Sequence, residues 1–166
     1  MKRIVIAALM SIFVAAPAVA ADGNKSVGIN YGLDGNGVVG LQGEFDISSM
    51  VNKAPVSAQV FWKGYSESFA TFLGTYKYSY NAFGAAAIYD FSSVTKLDKK
   101  IKPYAGLGLY TISSTLSGPT ATFTTGADSG GLYVTAGVRY AASPQVSADL
   151  SYNNIGGVTI GANYNF

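Results

Sequence analysis

The chain of 166 residues has no cysteine and no histidine, and only 12% of its residues are charged. Each absence removes a class of function. Without cysteine there are no disulfides and no thiolate metal sites. Without histidine, the usual general base of a serine or metal-assisted hydrolase is missing. The charged fraction is half the roughly 25% of soluble domains, too little for a fully wetted surface. Long apolar runs are also absent: after the first twenty residues none reaches the ~18 that a membrane-spanning helix needs. What remains is rich in glycine (20), tyrosine (12) and phenylalanine (9).

The N-terminus reads as an export signal. Lys2 and Arg3 precede the apolar run from Ile4 to Ala16, followed by Pro17 and the small-x-small triplet Ala18-Val19-Ala20. This is the layout of a secretory signal peptide, and the run is too short to span a bilayer as a helix. The expected division is 1–20 signal peptide, cleaved after Ala20 or Ala21, and 21–166 a single domain. Lys2 and Arg3 account for two of the 11 basic residues, which leaves nine against nine acidic ones. The mature chain is neutral, and nothing in it points to nucleic acid.

From Ser26 onward apolar residues recur at every second position, the period of a β-strand. Eight runs follow. The first carries Val27, Ile29, Tyr31 and Leu33; the second Val39, Leu41, Phe45 and Ile47; the third Val56, Ala58, Val60 and Trp62, with Phe61 out of pattern. The fourth changes parity, from Tyr76, Tyr78 and Tyr80 to Ala85, Ala87, Tyr89 and Phe91. A bulge near Asn81 to Gly84 would reconcile its two halves; without one, Lys77 faces the apolar side. The fifth has Ala105, Leu107 and Leu109; the sixth Leu132, Val134, Val138 and Tyr140; the seventh Val146, Leu150 and Tyr152. The eighth ends in Val158, Ile160, Tyr164 and Phe166. Between them, 65–75 and 113–130 are read as two long polar loops, the second mobile. Asp34-Gly35-Asn36-Gly37, Ser143-Pro144 and 154–157 are read as tight turns.

Three observations turn the apolar faces toward lipid. The opposite faces hold Gly, Ser, Thr, Asn and Gln with few charges, which suits the cramped interior of a small barrel and not a water-facing exterior. Glu44, Asp46, Lys63, Lys102, Arg139 and Asp149 all fall on the polar parity, as expected where a charge facing hydrocarbon costs on the order of 2–4 kcal/mol. With both termini in the periplasm, Tyr31, Trp62 and Tyr152 sit at outer strand ends. Phe45, Tyr89, Phe91, Tyr140, Tyr164 and Phe166 sit at inner ones, which makes two aromatic girdles. An even number of strands lets the first and last pair and leaves no edge. The expected fold is all-β: a closed eight-stranded antiparallel up-and-down transmembrane barrel.

In wording as well as pattern, Ala86-Ala87-Ile88-Tyr89-Asp90-Phe91, Pro103 to Leu109, Gly137-Val138-Arg139-Tyr140 and Ala162 to Phe166 resemble the small outer-membrane barrels of the OmpA, OmpX and opacity-protein type. The resemblance implies residence in the outer membrane of a Gram-negative bacterium, among lipid and lipopolysaccharide, as a monomer. Tyr164 and Phe166 resemble the C-terminal signal read by the barrel assembly machinery.

Arg139 and Asp149 lie symmetrically about Pro144 and can face each other across a hairpin; with Glu44 and Lys63 they form a candidate ionic network in the lumen, structural or conducting. Asp34-Gly35-Asn36-Gly37 resembles the start of a calcium loop but lacks its later ligands. Lys96, Lys99 and Lys100 read as a solvated periplasmic turn. No catalytic, cofactor or metal site is expected. The function expected is that of a non-enzymatic structural or surface-interaction barrel presenting the two outer loops; the alternatives are a narrow channel through the polar lumen and an adhesive surface around Phe69, Phe72 and Leu73.

Overall fold

The computed structural model describes residues 25–33, 37–119, 122–124 and 129–166. The expected signal segment and residues 34–36 of the first tight turn lie outside the described residues. Among the described residues nine strands run in chain order: β1 (Lys25–Gly32), β2 (Val39–Asp46), β3 (Val56–Thr71), β4 (Gly74–Asp90), β5 (Ile101–Ser117), β6 (Thr122–Thr124), β7 (Ser129–Ala141), β8 (Val146–Asn153) and β9 (Gly157–Asn165). Every pairing is antiparallel, and β4 pairs with β5 to close the sheet β4-β3-β2-β1-β9-β8-β7-β5 into an eight-stranded barrel. The three-residue β6 lies beside β5, outside the wall. The ends meet: Phe166 donates its N–H to the Lys25 carbonyl at 2.9 Å.

The two faces separate by residue parity, as a pleated strand requires. Along the middle of β1, β5, β7, β8 and β9 the outward apolar side chains are exposed, with Ile29, Leu107, Leu132, Leu150 and Ile160 about half exposed. Such a continuous exposed apolar belt is tolerated in lipid and not in water. The periplasmic girdle is paired, Tyr89 with Phe91 at 4.8 Å between centroids and Tyr164 with Phe166 at 6.3 Å. At the same end, the connections 47–55 and 91–100 repeat one device, an aspartate accepting from the backbone two residues on: Asp46 from Ser48 at 2.7 Å, Asp90 from Ser92 at 2.7 Å, Asp98 from Lys100 at 2.8 Å.

Two expectations are corrected. Residues 65–75 are not a loop. β3 and β4 continue as a hairpin to Thr71 and Gly74, turned by Phe72 and Leu73 alone, with Gly74 at φ +126°. Likewise residues 113–117 extend β5 against β4, and 129–130 belong to β7. Nor does β4 contain a bulge. Its registers with β3 and β5 are unbroken from Lys77 to Tyr89, so Lys77 faces outward. The parity of the rings changes because the surroundings change. Below Trp62 and Phe83, which are paired across β3 and β4, the outer face meets lipid and is apolar. Above them it carries Ser66, Ser68, Ser79 and Lys77, while the aromatic rings turn to the inner face. The wall β3-β4-β5 therefore rises out of the belt as a sheet.

Candidate functional site

The lumen is built by the inward parity of each strand and has two levels. The lower level is an ionic triad. Arg139 on β7 stands opposite Asp149 on β8, the cross-hairpin pair expected from the symmetry about Pro144. Its guanidinium donates to both Glu44 oxygens at 2.9 and 2.6 Å, and its Nε donates to Asp149 Oδ2 at 3.2 Å. Tyr104 donates its hydroxyl to Asp149 at 3.0 Å, and its ring lies 4.3 Å under the Arg139 Cζ. The arginine's fork satisfies one carboxylate bidentately and the second through its remaining edge, the geometry in which burying three charges is least unfavourable.

Lys63 makes no direct ion pair with this triad and interacts with Asp149 only at longer range. It is inward-facing and 2% exposed, as its parity requires, but it donates its hydrogen bond to Asn30 Oδ1 at 3.5 Å. The reason is height. Glu44 lies opposite Gln59 on β3, and Lys63 is four residues further up, about 13 Å at the strand rise. Parity fixes the face a side chain points to; it does not fix the level.

The second level was not expected from a lumen of small polar residues. Phe61, Ile88, Tyr104 and Tyr133 pack with Ala86 into a buried cluster, the rings of Phe61 and Tyr133 4.1 Å apart. The out-of-pattern Phe61 is thus the centre of an apolar plug, 3% exposed. Inward glycines make room for it: a Cβ at Gly84 would lie 2.4 Å from Phe61 Cζ, and one at Gly106 2.3 Å from Ile88 Cδ1. Beside the plug, amides cross-link the strands, Asn30 to Gln42 at 3.0 Å and Gln42 to Asn163 at 2.8 Å. Below the triad the lumen opens to the periplasm as a cavity of about 410 Å³, lined by Glu44, Asp46, Asp90, Lys99, Lys102 and Arg139.

Phe45, Tyr89, Phe91, Tyr140, Tyr164 and Phe166 lie at strand ends on the side of the barrel that holds Lys25 and Phe166. On the outer side, Tyr31 and Tyr152 end their strands, 48% and 60% exposed. Trp62 is mid-strand, because β3 continues beyond it, and its indole N–H donates to Asn81 at 3.2 Å. Above it, inward rings form a ladder: Tyr65 stacks on Tyr80 at 5.5 Å and Phe69 on Tyr76 at 5.8 Å. Phe72 and Leu73 project at the tip, 96% and 64% exposed.

This is the geometry of a small outer-membrane β-barrel. Residues 52–165 match the family described as Opacity family porin protein, and the chain belongs to that family. Among solved structures it is similar to Neisserial surface protein A (21% identity, TM-score 0.58, covering 87% of this chain and 96% of that one). It is also similar to Ail, the attachment invasion locus protein of Yersinia pestis, solved with the heparin analogue sucrose octasulfate (16%, TM-score 0.56, 87% and 99%). A third is the N-terminal β-barrel domain of Pseudomonas aeruginosa OprF (15%, TM-score 0.60, 87% and 100%). No curated protein sequence matches the chain.

Proposed function

We propose that the chain acts from its outer face, as a non-enzymatic structural and surface-interaction barrel, and that it does not conduct. The observation that carries this reading is the pairing of a filled lumen with a wall that rises on one side. Phe61, Tyr133 and Ile88 occupy the centre, and Arg139, tied to two carboxylates, sits beneath them. An ion crossing this barrel would have to displace packed rings and break a bidentate ion pair. Meanwhile β3, β4 and β5 extend beyond the aromatic belt and present stacked rings and an exposed tip.

In this reading residues 1–20 direct export and are removed. The barrel assembly machinery inserts the remainder through Tyr164 and Phe166, and the mature barrel sits as a monomer among lipid and lipopolysaccharide in the outer membrane of a Gram-negative bacterium. The mature protein should require detergent for extraction and should migrate differently on SDS gels before and after boiling. Ail holds a sulfated ligand, but between Tyr65 and Tyr80 the only charges here are Glu67 and Lys77. A polyanion is a poor match to that sheet.

The test is recording from planar bilayers, with insertion verified independently. The expected record is flat over many insertions. Discrete, reproducible current steps that change size in an Arg139→Gln variant would overturn the reading in favour of a channel.

A further inference from the structure

We propose that the cavity below the ion triad binds a short peptide-like zwitterion, with its ammonium toward Asp46 or Asp90 and its carboxylate toward Lys99, Lys102 and Arg139. The inference goes beyond the outer-face reading and concerns the opposite end of the molecule.

The cavity is closed above. Its roof is the triad, and the plug of Phe61, Ile88 and Tyr133 lies over that. Its wall is made by the last inward positions of the strands, and their charges are sorted by sign. Asp46 on β2 and Asp90 on β4 stand to either side of β3. Lys102 on β5, Lys99 in the connection before it and Arg139 on β7 supply the other sign. In the closed sheet β2-β3-β4 and β5-β7 are two neighbouring arcs, joined where β4 pairs with β5. Lys25 also lines the mouth, at the seam, from the outward parity of β1.

The chain's own residues leave both arcs unneutralised. Both oxygens of Glu44 are taken by Arg139. Asp46 and Asp90, by contrast, accept from Ser48 and Ser92 through Oδ1 alone. Among the described residues neither forms an ion pair, and neither do Lys99 and Lys102. The mismatch is plainest where the arcs join. Asp90 lies opposite Tyr104, so Lys102 is its diagonal neighbour, roughly 7–8 Å away and also inward, yet the two are not bonded.

On its other side Lys102 faces Arg139 directly across the β5–β7 ladder. Like charges in that position destabilise a sheet, and an anion between them removes the cost. Arg139 has donors to offer it. A guanidinium carries five N–H groups, and three are used on Glu44 and Asp149. The buried Ser147 adds a hydroxyl at the cavity wall.

The ligand must carry both signs. A simple anion leaves Asp46 and Asp90 unmatched, and a simple cation leaves the lysines so. The volume of about 410 Å³ lies within the range of small-molecule sites. A dipeptide with free ends holds its two charges up to about 7 Å apart, close to the diagonal spacing of Asp90 and Lys102.

The probe is dialanine, titrated calorimetrically into the protein in lipid nanodiscs. Saturable one-to-one binding is expected. Acetylating the probe's amine, or amidating its carboxylate, should each weaken binding about tenfold or more. The same loss is expected from Lys99→Gln with Lys102→Gln. It is also expected from Asp46→Asn with Asp90→Asn, a pair that keeps the Oδ1 acceptors of both connections. Unboiled SDS mobility confirms that each variant is folded. No saturable binding at millimolar probe would overturn the proposal, as would capped probes that bind equally well or variants that bind like the wild type. So would binding that appears only once residues 22–24 are deleted, since the cavity would then belong to the chain's own N-terminal segment. The bilayer record is independent of every one of these outcomes, so failure at the cavity and failure of the non-conducting reading are told apart.

Discussion

Replacing Arg139 with methionine should lower the unfolding free energy of the barrel by about 3–5 kcal/mol, the range for removing one partner of a buried ion group. Glu44 and Asp149 would be left facing each other, their side chains 9% and 5% exposed, with Tyr104 as Asp149's remaining donor. Asp149 is shut in by the wall, while Glu44 meets water only at the cavity below the triad, so both charges would be left poorly hydrated. Lysine at 139 should recover only part of the loss, because a point ammonium cannot bond one carboxylate bidentately and reach the second. Neutralising the orphans, with Glu44→Gln and Asp149→Asn added to Arg139→Met, should restore much of the stability, since the penalty lies in unpaired charge. The single tryptophan, Trp62, reports unfolding in urea by its fluorescence. A loss below about 1 kcal/mol would mean that the three groups are hydrated and not paired, and would remove the argument for a closed lumen.

Introducing arginine at Leu107 should cost about 2–4 kcal/mol, the penalty for a cation on the lipid face near the bilayer midplane. Leu107 is 57% exposed, between Ala87 on β4 and Val134 on β7, and midway between the aromatic levels. The same substitution at Ser68, on the same outer face but above the belt, should change stability by no more than about 0.5 kcal/mol. The contrast locates the membrane on the barrel. Equal costs at the two positions would mean that the rising sheet is also lipid-covered; negligible costs at both would mean that the apolar belt is not in hydrocarbon at all.

Much of this architecture is written locally. Strands in lipid are constrained on both faces, so a two-residue period marks each of the eight walls, and the Arg139–Asp149 pair can be found from its symmetry about Pro144. Other features are not local. Glu44 reaches Arg139 across 95 residues, a contact that exists only once the sheet has closed, and Lys63 shares their parity while standing higher, because periodicity carries no height. The rising hairpin is hidden from the sequence for a different reason. Residues 65–71 lose the apolar outer face at the point where lipid gives way to water, so the pattern stops although the strand does not. Tyr76, Tyr78 and Tyr80 seemed to need a bulge because inside and outside exchange their polarity there. Phe61 looked like an error in an amphipathic strand and is the centre of the plug.

The three tall strands are consecutive in the chain, all within residues 56–117, whereas the seam at Lys25 and Phe166 and the cross-hairpin pair of β7 and β8 lie elsewhere. On the proposed reading, display and scaffold are thereby assigned to separable stretches of gene. Codon changes confined to the upper hairpin can alter what the cell shows its surroundings while the closure and the charge triad are inherited intact, so this barrel can diversify its exterior without renegotiating its fold.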